Sequence, residues 1–363
     1  MTNEVPEQLK MNGGELYFKS IREISPKVNE FIQDQIIRLG IHSAGLETIL
    51  LDLPRKRAGK PIMRANMTYL AYRNLGGQNV VEELLPAMSI SELSNYHLYL
   101  DNWIFDNKQG AHENRRRLSM ITAASEVLRD LTQKVIENLN CSSEIRREIS
   151  RRYAKSVISC CEGQVLDFST SINDMASFDD NVFEDYFIMR ARLQSGAMYG
   201  FSTETGALFV STDETQIKNA KRFGELVGTG LHISNDLGDF ALDVKDQTLK
   251  YYQDQLSDIK CGRVTYPIYY VLKHGSEQEK DALKNLVGNS SATYEEKNRA
   301  TQSVFSSGAY SRTIRLLRDI AKQGRKSLEA LPDNQWRNAL SSMASTVRCN
   351  KYLTSVREVG GIK

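Results

Sequence analysis

Two short stretches of this chain carry hard oxygen donors at helical spacing inside apolar surroundings. In Tyr96-His97-Leu98-Tyr99-Leu100-Asp101-Asn102-Trp103-Ile104-Phe105-Asp106, Asn102 and Asp106 stand four residues apart, and Asp101 lies at the edge of the face they share. In Ile233-Ser234-Asn235-Asp236-Leu237-Gly238-Asp239-Phe240-Ala241-Leu242-Asp243, the residues Asn235, Asp239 and Asp243 form one stripe over two turns. Oxygen donors in such a row suit Mg²⁺, which takes hard ligands, keeps several waters and bridges to phosphate. One such row alone would be read as a solvated helix face. Here Leu98, Leu100, Ile104 and Phe105 flank the first and Leu231, Ile233, Leu237 and Phe240 the second. A carboxylate set among apolar residues needs a compensating partner. Two such stretches suggest two walls facing one cavity.

The elements that would carry them are helices. Apolar residues recur at three- and four-residue spacing over Ile32–Leu39, over Leu118–Leu139 (Leu128, Leu131, Val135 and Leu139 on one stripe) and at Ile314, Leu317, Ala321 and Leu328. No convincing period-two run appears, and Asn12-Gly13 lacks the alternating flanks of a hairpin. Most of the seven prolines lie near expected segment ends. Breaks are expected at 53–61, 76–78, 106–113, 169–180, 246–262 and 288–295, with no fixed-period repeat. The expectation is an all-α fold of one domain spanning 1–363, with helices of roughly 12–25 residues.

Composition narrows the function classes. The chain has 363 residues, 40% hydrophobic and 25% charged, a globular balance. With 47 basic and 45 acidic residues, net charge is +2, so nucleic-acid binding driven by bulk charge is not expected. Mean hydropathy is −0.43, and no charge-free run reaches the roughly 18 residues of a membrane span. The segment MTNEVPEQLK has no apolar core of a secretory signal. Cys141, Cys160, Cys161, Cys261 and Cys349 are scattered without a CxxC pair, as in a reducing cytoplasm. The five histidines form no HExxH, which argues against a histidine-ligated zinc.

In order and spacing, further segments resemble the trans-isoprenyl diphosphate synthases over roughly residues 50–275. Gly59-Lys60-Pro61-Ile62-Met63-Arg64 with Leu75-Gly76-Gly77 is similar to that family's GKxxRP…LGG segment. Asn102–Asp106 occupies the first DDxxD position, and Arg115-Arg116-Arg117 follows it. Gly163-Gln164-Val165-Leu166-Asp167-Phe168 resembles GQxxDL, Gln194-Ser195-Gly196-Ala197 stands at KTGA, and Thr205-Gly206-Ala207-Leu208-Phe209 follows. Asn235–Phe240 stands at the second DDxxD(F), and Asp258-Ile259-Lys260-Cys261-Gly262-Arg263-Val264-Thr265-Tyr266-Pro267 resembles DLxxGKxTxP.

The departures bear on function. The first motif lacks both leading aspartates in this register, and the second begins with Asn235. Gln194-Ser195 replaces the family's Lys-Thr, and Asn95 replaces a histidine that helps hold isopentenyl diphosphate. Asp101–Asp106 also resembles the DDxxxD/E variant of class I terpene synthases. Asn235, Asp239 and Asp243 take the ligand positions of those enzymes' NDxx(S/T)xxxE motif, and Tyr186–Gly196 resembles their diphosphate-sensing segment.

The resemblance implies a single-domain class I helical bundle around a deep cavity and an allylic prenyl diphosphate as substrate. It implies Mg²⁺, three ions with the diphosphate, held by Asp101, Asn102, Asp106, Asn235, Asp239 and Asp243. The main expectation is a terpene synthase ending in cyclisation or elimination. The alternative is a prenyltransferase, either an isoprenyl diphosphate synthase or one using a non-isoprenoid acceptor. A regulatory subunit without activity is a third class, which the retained aspartates oppose. Expected diphosphate contacts are Lys60, Arg64, Arg115, Arg116, Gln194, Lys260 and Arg263, with catalytic Arg190 or Arg192, which cannot both face one way on a helix. Tyr96, His97, Tyr99, Trp103 and Phe105 would line the pocket, although core packing explains each of them equally and His97 could be a satisfied core histidine. A homodimer is the family expectation.

Overall fold

A computed structural model of the protein describes residues 12–78, 80–105, 114–172, 180–240, 256–289 and 291–346. Among these residues there is no strand, only an isolated antiparallel bridge between Ser171 and Arg263. The helices are α1 (Gly13–Ile37), α2 (Ala44–Arg57), α3 (Met63–Asn74), α4 (Val81–Phe105), α5 (Arg115–Glu137), α6 (Ser143–Ser169) and α7 (Asp180–Ala191). A π turn, Arg192–Gly196, leads into α8 (Ala197–Leu208). Then come α9 (Glu214–Gly238), α10 (Ser257–Lys260), α11 (Tyr266–His274), α12 (Glu277–Lys284), α13 (Tyr294–Ser306), α14 (Ala309–Ser327) and α15 (Gln335–Thr346). The expected all-α class is the fold observed. No described helix is long and apolar enough to cross a membrane.

Local chemistry sets the helix ends. Asn12 is a helix cap. Its side chain accepts the Glu15 N–H at 2.9 Å while Glu15 reaches back to the Asn12 N–H, closing a capping box. The same device starts α12 at Ser276 and α13 at Thr293. Pro61, Pro267 and Pro332 lie at helix ends as expected and Pro54 in the last turn of α2, whereas Pro26 and Pro86 lie inside α1 and α4. Such a proline removes one N–H bond, a loss that packing on neighbouring helices outweighs. Ile24, Val28, Ile32 and Ile36 around Pro26 are all fully buried.

The chain divides into two compact units. The first comprises 1–158, 198–224 and 327–343. Its tightest approach is between α3 and α8, where a Cβ on Gly206 would meet the Thr68 carbonyl oxygen at 2.1 Å. The Thr68 hydroxyl donates to the Ser202 carbonyl at 2.9 Å. Buried Glu204 pairs with Arg152 and, at 3.3 Å, with Lys221, so this deep carboxylate is compensated. The second unit comprises 159–197, 225–326 and 344–363. Its core includes Phe187 of α7 and Tyr266 and Tyr269 of α11, with the Phe187 and Tyr269 rings 5.4 Å apart. Glu184 accepts from Tyr266 at 3.0 Å and from Arg312 at 2.5 Å, tying α7 to α11 and α14.

Candidate active site

In the second unit, α6, α7, α9 and α10 bring four aspartates, two arginines and one histidine together. Asp167, near the end of α6, sits between two guanidinium groups, with Arg190 Nη1 at 3.3 Å and Arg263 Nε at 3.7 Å. Arg190 is 2% exposed and lies over the Phe187 ring at 4.9 Å. Arg263 also reaches Asp258 at 3.5 Å and covers the Phe168 ring at 4.7 Å. The bridge from Ser171 to Arg263 fixes the backbone there. On α9, His232 and Asp236 are one turn apart, with Nε2 3.8 Å from Oδ1.

Asp239, just past α9, acts as a clamp. Its carboxylate accepts the backbone N–H groups of Ser257 and Asp258, each at 3.2 Å, and its carbonyl accepts the Leu256 N–H at 3.2 Å. These bonds cap the first turn of α10, whose orphan N–H groups favour a carboxylate. They also hold buried Leu256 at φ 58°, a left-handed conformation costly for a side chain with a Cβ. Asp258 is thereby held in the cluster.

Four carboxylates against two guanidinium groups leave an excess of negative charge in a recess. Burial pushes Asp236 up to about 7, with Asp167 adding to the rise and Arg190 and Arg263 opposing it. Burial, then Asp236, pushes Asp258 up to about 6. Burial and the neighbouring Asp258 hold the Asp239 carboxyl well above the usual range. His232 is pushed down to about 4 by burial, so it is neutral at pH 7. A donor set of carboxylates that resist ionising because they are buried fits a hard divalent ion, whose charge would favour their ionised form. Among the described residues, no three His, Cys, Asp or Glu side chains are arranged to hold a metal unaided. Water and phosphate oxygens would complete the shell, as Mg²⁺ prefers.

Of the expected second-motif ligands, Asn235 is exposed, Asp239 is the clamp, and Asp243 lies outside the described residues. Asp236, Asp167, Asp258 and His232 were not singled out from the sequence. Arg190 enters the cluster and Arg192 is exposed on the π turn, so only one of that pair faces inward. π turns recur at functional sites. Here the turn lets Gly163 of α6 pack so closely that a Cβ on it would meet the Gln194 N at 2.7 Å. The Gln194 amide donates to Gln164 at 3.3 Å. Lys260 is half-buried at the end of α10.

The first motif lies on α4 in the first unit. Asp101 accepts the Ser125 hydroxyl at 2.6 Å and lies 3.4 Å from Nδ1 of buried His97. Asn102 and Trp103 are half-buried, and Asp106 lies outside the described residues. Tyr96 is buried, whereas Tyr99 and Phe105 are 41% and 51% exposed. Tyr99 meets Trp103 edge to face at 5.6 Å. One turn further back on α4, fully buried Glu92 lies 3.4 Å from Arg57 and 4.0 Å from Arg64, whose guanidinium stacks on Tyr199 at 4.4 Å. Lys60 is exposed between α2 and α3. Arg115 and Arg116 are exposed in the first turn of α5, which Asn114 caps and which has no acidic residue. Cations at a helix N-terminus oppose the helix dipole, so this end is strongly positive.

The all-α arrangement of the described helices is that of the class I fold. The model of the polyprenyl synthetase family matches residues 116–304, more than half of the chain, and the protein belongs to that family. It is 24% identical over 326 residues to a geranylgeranyl pyrophosphate synthase of Geoglobus acetivorans, covering 88% of this chain and 94% of that one. It is 24% identical over 254 residues to a short chain isoprenyl diphosphate synthase of Methanocaldococcus jannaschii, covering 68% and 72%. Among solved structures, a polyprenyl synthase from Caulobacter crescentus, complexed with calcium and isoprenyl diphosphate, superposes with a TM-score of 0.76 at 19% identity, covering 93% and 98%. These relatives are named as prenyl chain synthases. They favour the transferase reading, the alternative above, over the terpene synthase that the altered motifs suggested as the main one.

Proposed function

We propose that this chain is a Mg²⁺-dependent trans-isoprenyl diphosphate synthase, which ionises an allylic prenyl diphosphate and transfers the cation to isopentenyl diphosphate. Membership of the polyprenyl synthetase family supports the prenyltransferase class. The observation that carries the site assignment is the group formed by Asp167, Asp236, Asp258, Arg190 and Arg263. It holds more carboxylates than guanidinium groups, and a divalent ion with diphosphate would complete it. Asp236 and Asp258 are the proposed ligands in this cluster, and Asp101, Asn102 and Asp106 are the proposed ligands of the first motif. In this reading exposed Asn235 is an outer position and Asp239 holds the clamp, while Asp243 stays a proposed ligand outside the described residues.

Bound Mg²⁺, three ions in the family reading, supplies the charge that turns diphosphate into a leaving group. The chain's own groups do the rest. Arg190 and Arg263 offer preorganised donors to the departing oxygens, and Asp167 keeps both from swinging away. His232, neutral at pH 7, adds no competing charge. Lys60, Arg64, Arg115, Arg116 and Lys260 are proposed to hold diphosphate oxygens. Tyr96, Tyr99, Trp103 and Phe105 give the prenyl chain apolar and aromatic surface. The Gln194 amide, committed to Gln164, provides no charge to the acceptor, so elongation is proposed to be slow.

We further propose one domain over 1–363, a homodimer and a cytoplasmic enzyme. Exposed Val165 and Phe168 with Cys161 make an apolar stripe on α6 that a second copy would cover. Among the described residues Cys141, Cys160, Cys161 and Cys261 form no disulfide with one another, in keeping with a reducing compartment.

The test is incubation with geranyl, farnesyl and geranylgeranyl diphosphates plus Mg²⁺, with and without isopentenyl diphosphate. Longer diphosphates only when isopentenyl diphosphate is present are expected. Hydrocarbon or alcohol formed equally without it would return the assignment to the lyase class.

A further inference from the structure

The outer face of α14 carries a continuous row of basic residues. On other helices several basic residues are matched by an acid three or four positions away, as in Lys27 with Glu23 at 3.8 Å, Arg38 with Asp34 at 2.8 Å, Lys56 with Asp52 at 3.2 Å and Lys280 with Glu277 at 2.8 Å. On α14, Arg312 is engaged by Glu184. Arg315, Arg318, Lys322 and Lys326 are exposed, Arg325 is half-buried, and none of the five has an ion-pair partner among the described residues. At 100° per residue these five fall within an arc of about 100°, with Asp319 at its edge as the one acid of the helix. The opposite face, Leu316, Leu317, Ile320 and Ala321, is buried in the second unit. The helix is therefore anchored and cannot insert by its apolar side. What it offers outward is a flat row of five cations about 16 Å long.

We propose that this face docks the enzyme electrostatically on an anionic phospholipid surface. Five positive charges on one face match the polybasic clusters that adsorb to acidic leaflets, where each contributes independently. The face carries no aromatic side chain on which bases could stack, which disfavours single-stranded nucleic acid. The choice of a membrane also rests on the proposed function, since a prenyl diphosphate product carries an apolar tail that a bilayer takes up. Docking itself does not require turnover.

The test is co-sedimentation of the full chain with vesicles of phosphatidylcholine alone or mixed with phosphatidylglycerol, at low and high salt. Binding is expected only to the anionic vesicles and should fade at high salt, where charges are screened. The variant R315Q/R318Q/K322Q should bind on the order of a hundredfold more weakly, about fivefold per charge removed. Its prenyl transfer in solution should be unchanged. The control R38Q/R129Q/K284Q, which removes three paired cations, should bind as the unaltered chain does. Single R318Q repeats the comparison with less risk to folding, and far-UV circular dichroism verifies each variant. Equal binding by variant and unaltered chain, indifference to lipid charge, or duplex DNA bound in preference to vesicles would overturn the proposal. A chain that docks but does not elongate would refute the transferase reading and leave the docking face intact.

Discussion

Replacing Asp167 by Asn keeps the side chain's size and shape while removing the charge between two guanidinium groups. Asp167 is 9% exposed, Arg190 2% and Arg263 15%, so solvent can do little to take its place. Removing one partner of a buried pair costs about 3–5 kcal/mol. Arg263 retains Asp258 at 3.5 Å, which puts the expected loss at the lower end, about 3 kcal/mol. Unfolding entropy is roughly 2.1 cal/mol/K per residue near 60 °C, so for 363 residues melting together Tm should fall by about 4 °C. Should the second unit melt on its own, its transition should move further. The assay is differential scanning calorimetry of metal-free protein, with urea unfolding as a second measure. Asp167→Glu should restore part of the loss. A Tm and urea midpoint unchanged by Asp167→Asn would refute the buried charge triad, and with it the role given to Arg190.

Three other outcomes are expected. In metal-free protein, Asp236 at about 7 and Asp258 at about 6 hold protons that the unfolded chain releases near 3.8, so their contribution to stability falls as pH rises from about 4 to 7. His232, lowered to about 4 from 6.5, opposes this by losing stability as pH falls through 6.5 to 4, so Asp236→Asn should gain on the unaltered chain between pH 5 and pH 7 in urea titrations, and no gain would contradict the assignment. Asp239→Ala should abolish turnover while leaving helical circular dichroism intact, because it frees the Ser257 and Asp258 N–H groups at a cost of about 1–3 kcal/mol; full activity would refute the clamp. Gln194→Lys should lower the KM for isopentenyl diphosphate by about tenfold, the difference between a charge-assisted and a neutral hydrogen bond, and an unchanged KM would remove Gln194 from the acceptor site.

The helices were legible because their apolar spacing is strong, as in Leu128, Leu131 and Val135, all buried on α5. Rotation of the second motif was not. Spacing alone aligned Asn235, Asp239 and Asp243, but the buried residues of that segment are Ile233, Leu237 and Phe240. That phase puts Asn235 opposite the core and brings His232 and Asp236 to its border, a reading available from the apolar residues had they been used to orient the helix. Asp167 and Asp258 stood in segments recognised for their resemblance, yet their convergence depends on Arg263 and the Asp239 clamp, which are tertiary features. Most prolines do stand near helix ends, and the exceptions, Pro26 and Pro86, are places where packing overrides a local rule.

The central claim is that the aspartates and arginines of the second unit form a metal–diphosphate site. Calorimetric titration of inorganic pyrophosphate into the protein tests it most directly, with and without Mg²⁺, for the unaltered chain and for Asp236→Ala. Tight, Mg²⁺-dependent binding that Asp236→Ala weakens by tenfold or more is expected, from the loss of about 1.4 kcal/mol or more. Pyrophosphate binding that ignores Mg²⁺, or that survives Asp236→Ala unchanged, would contradict the account.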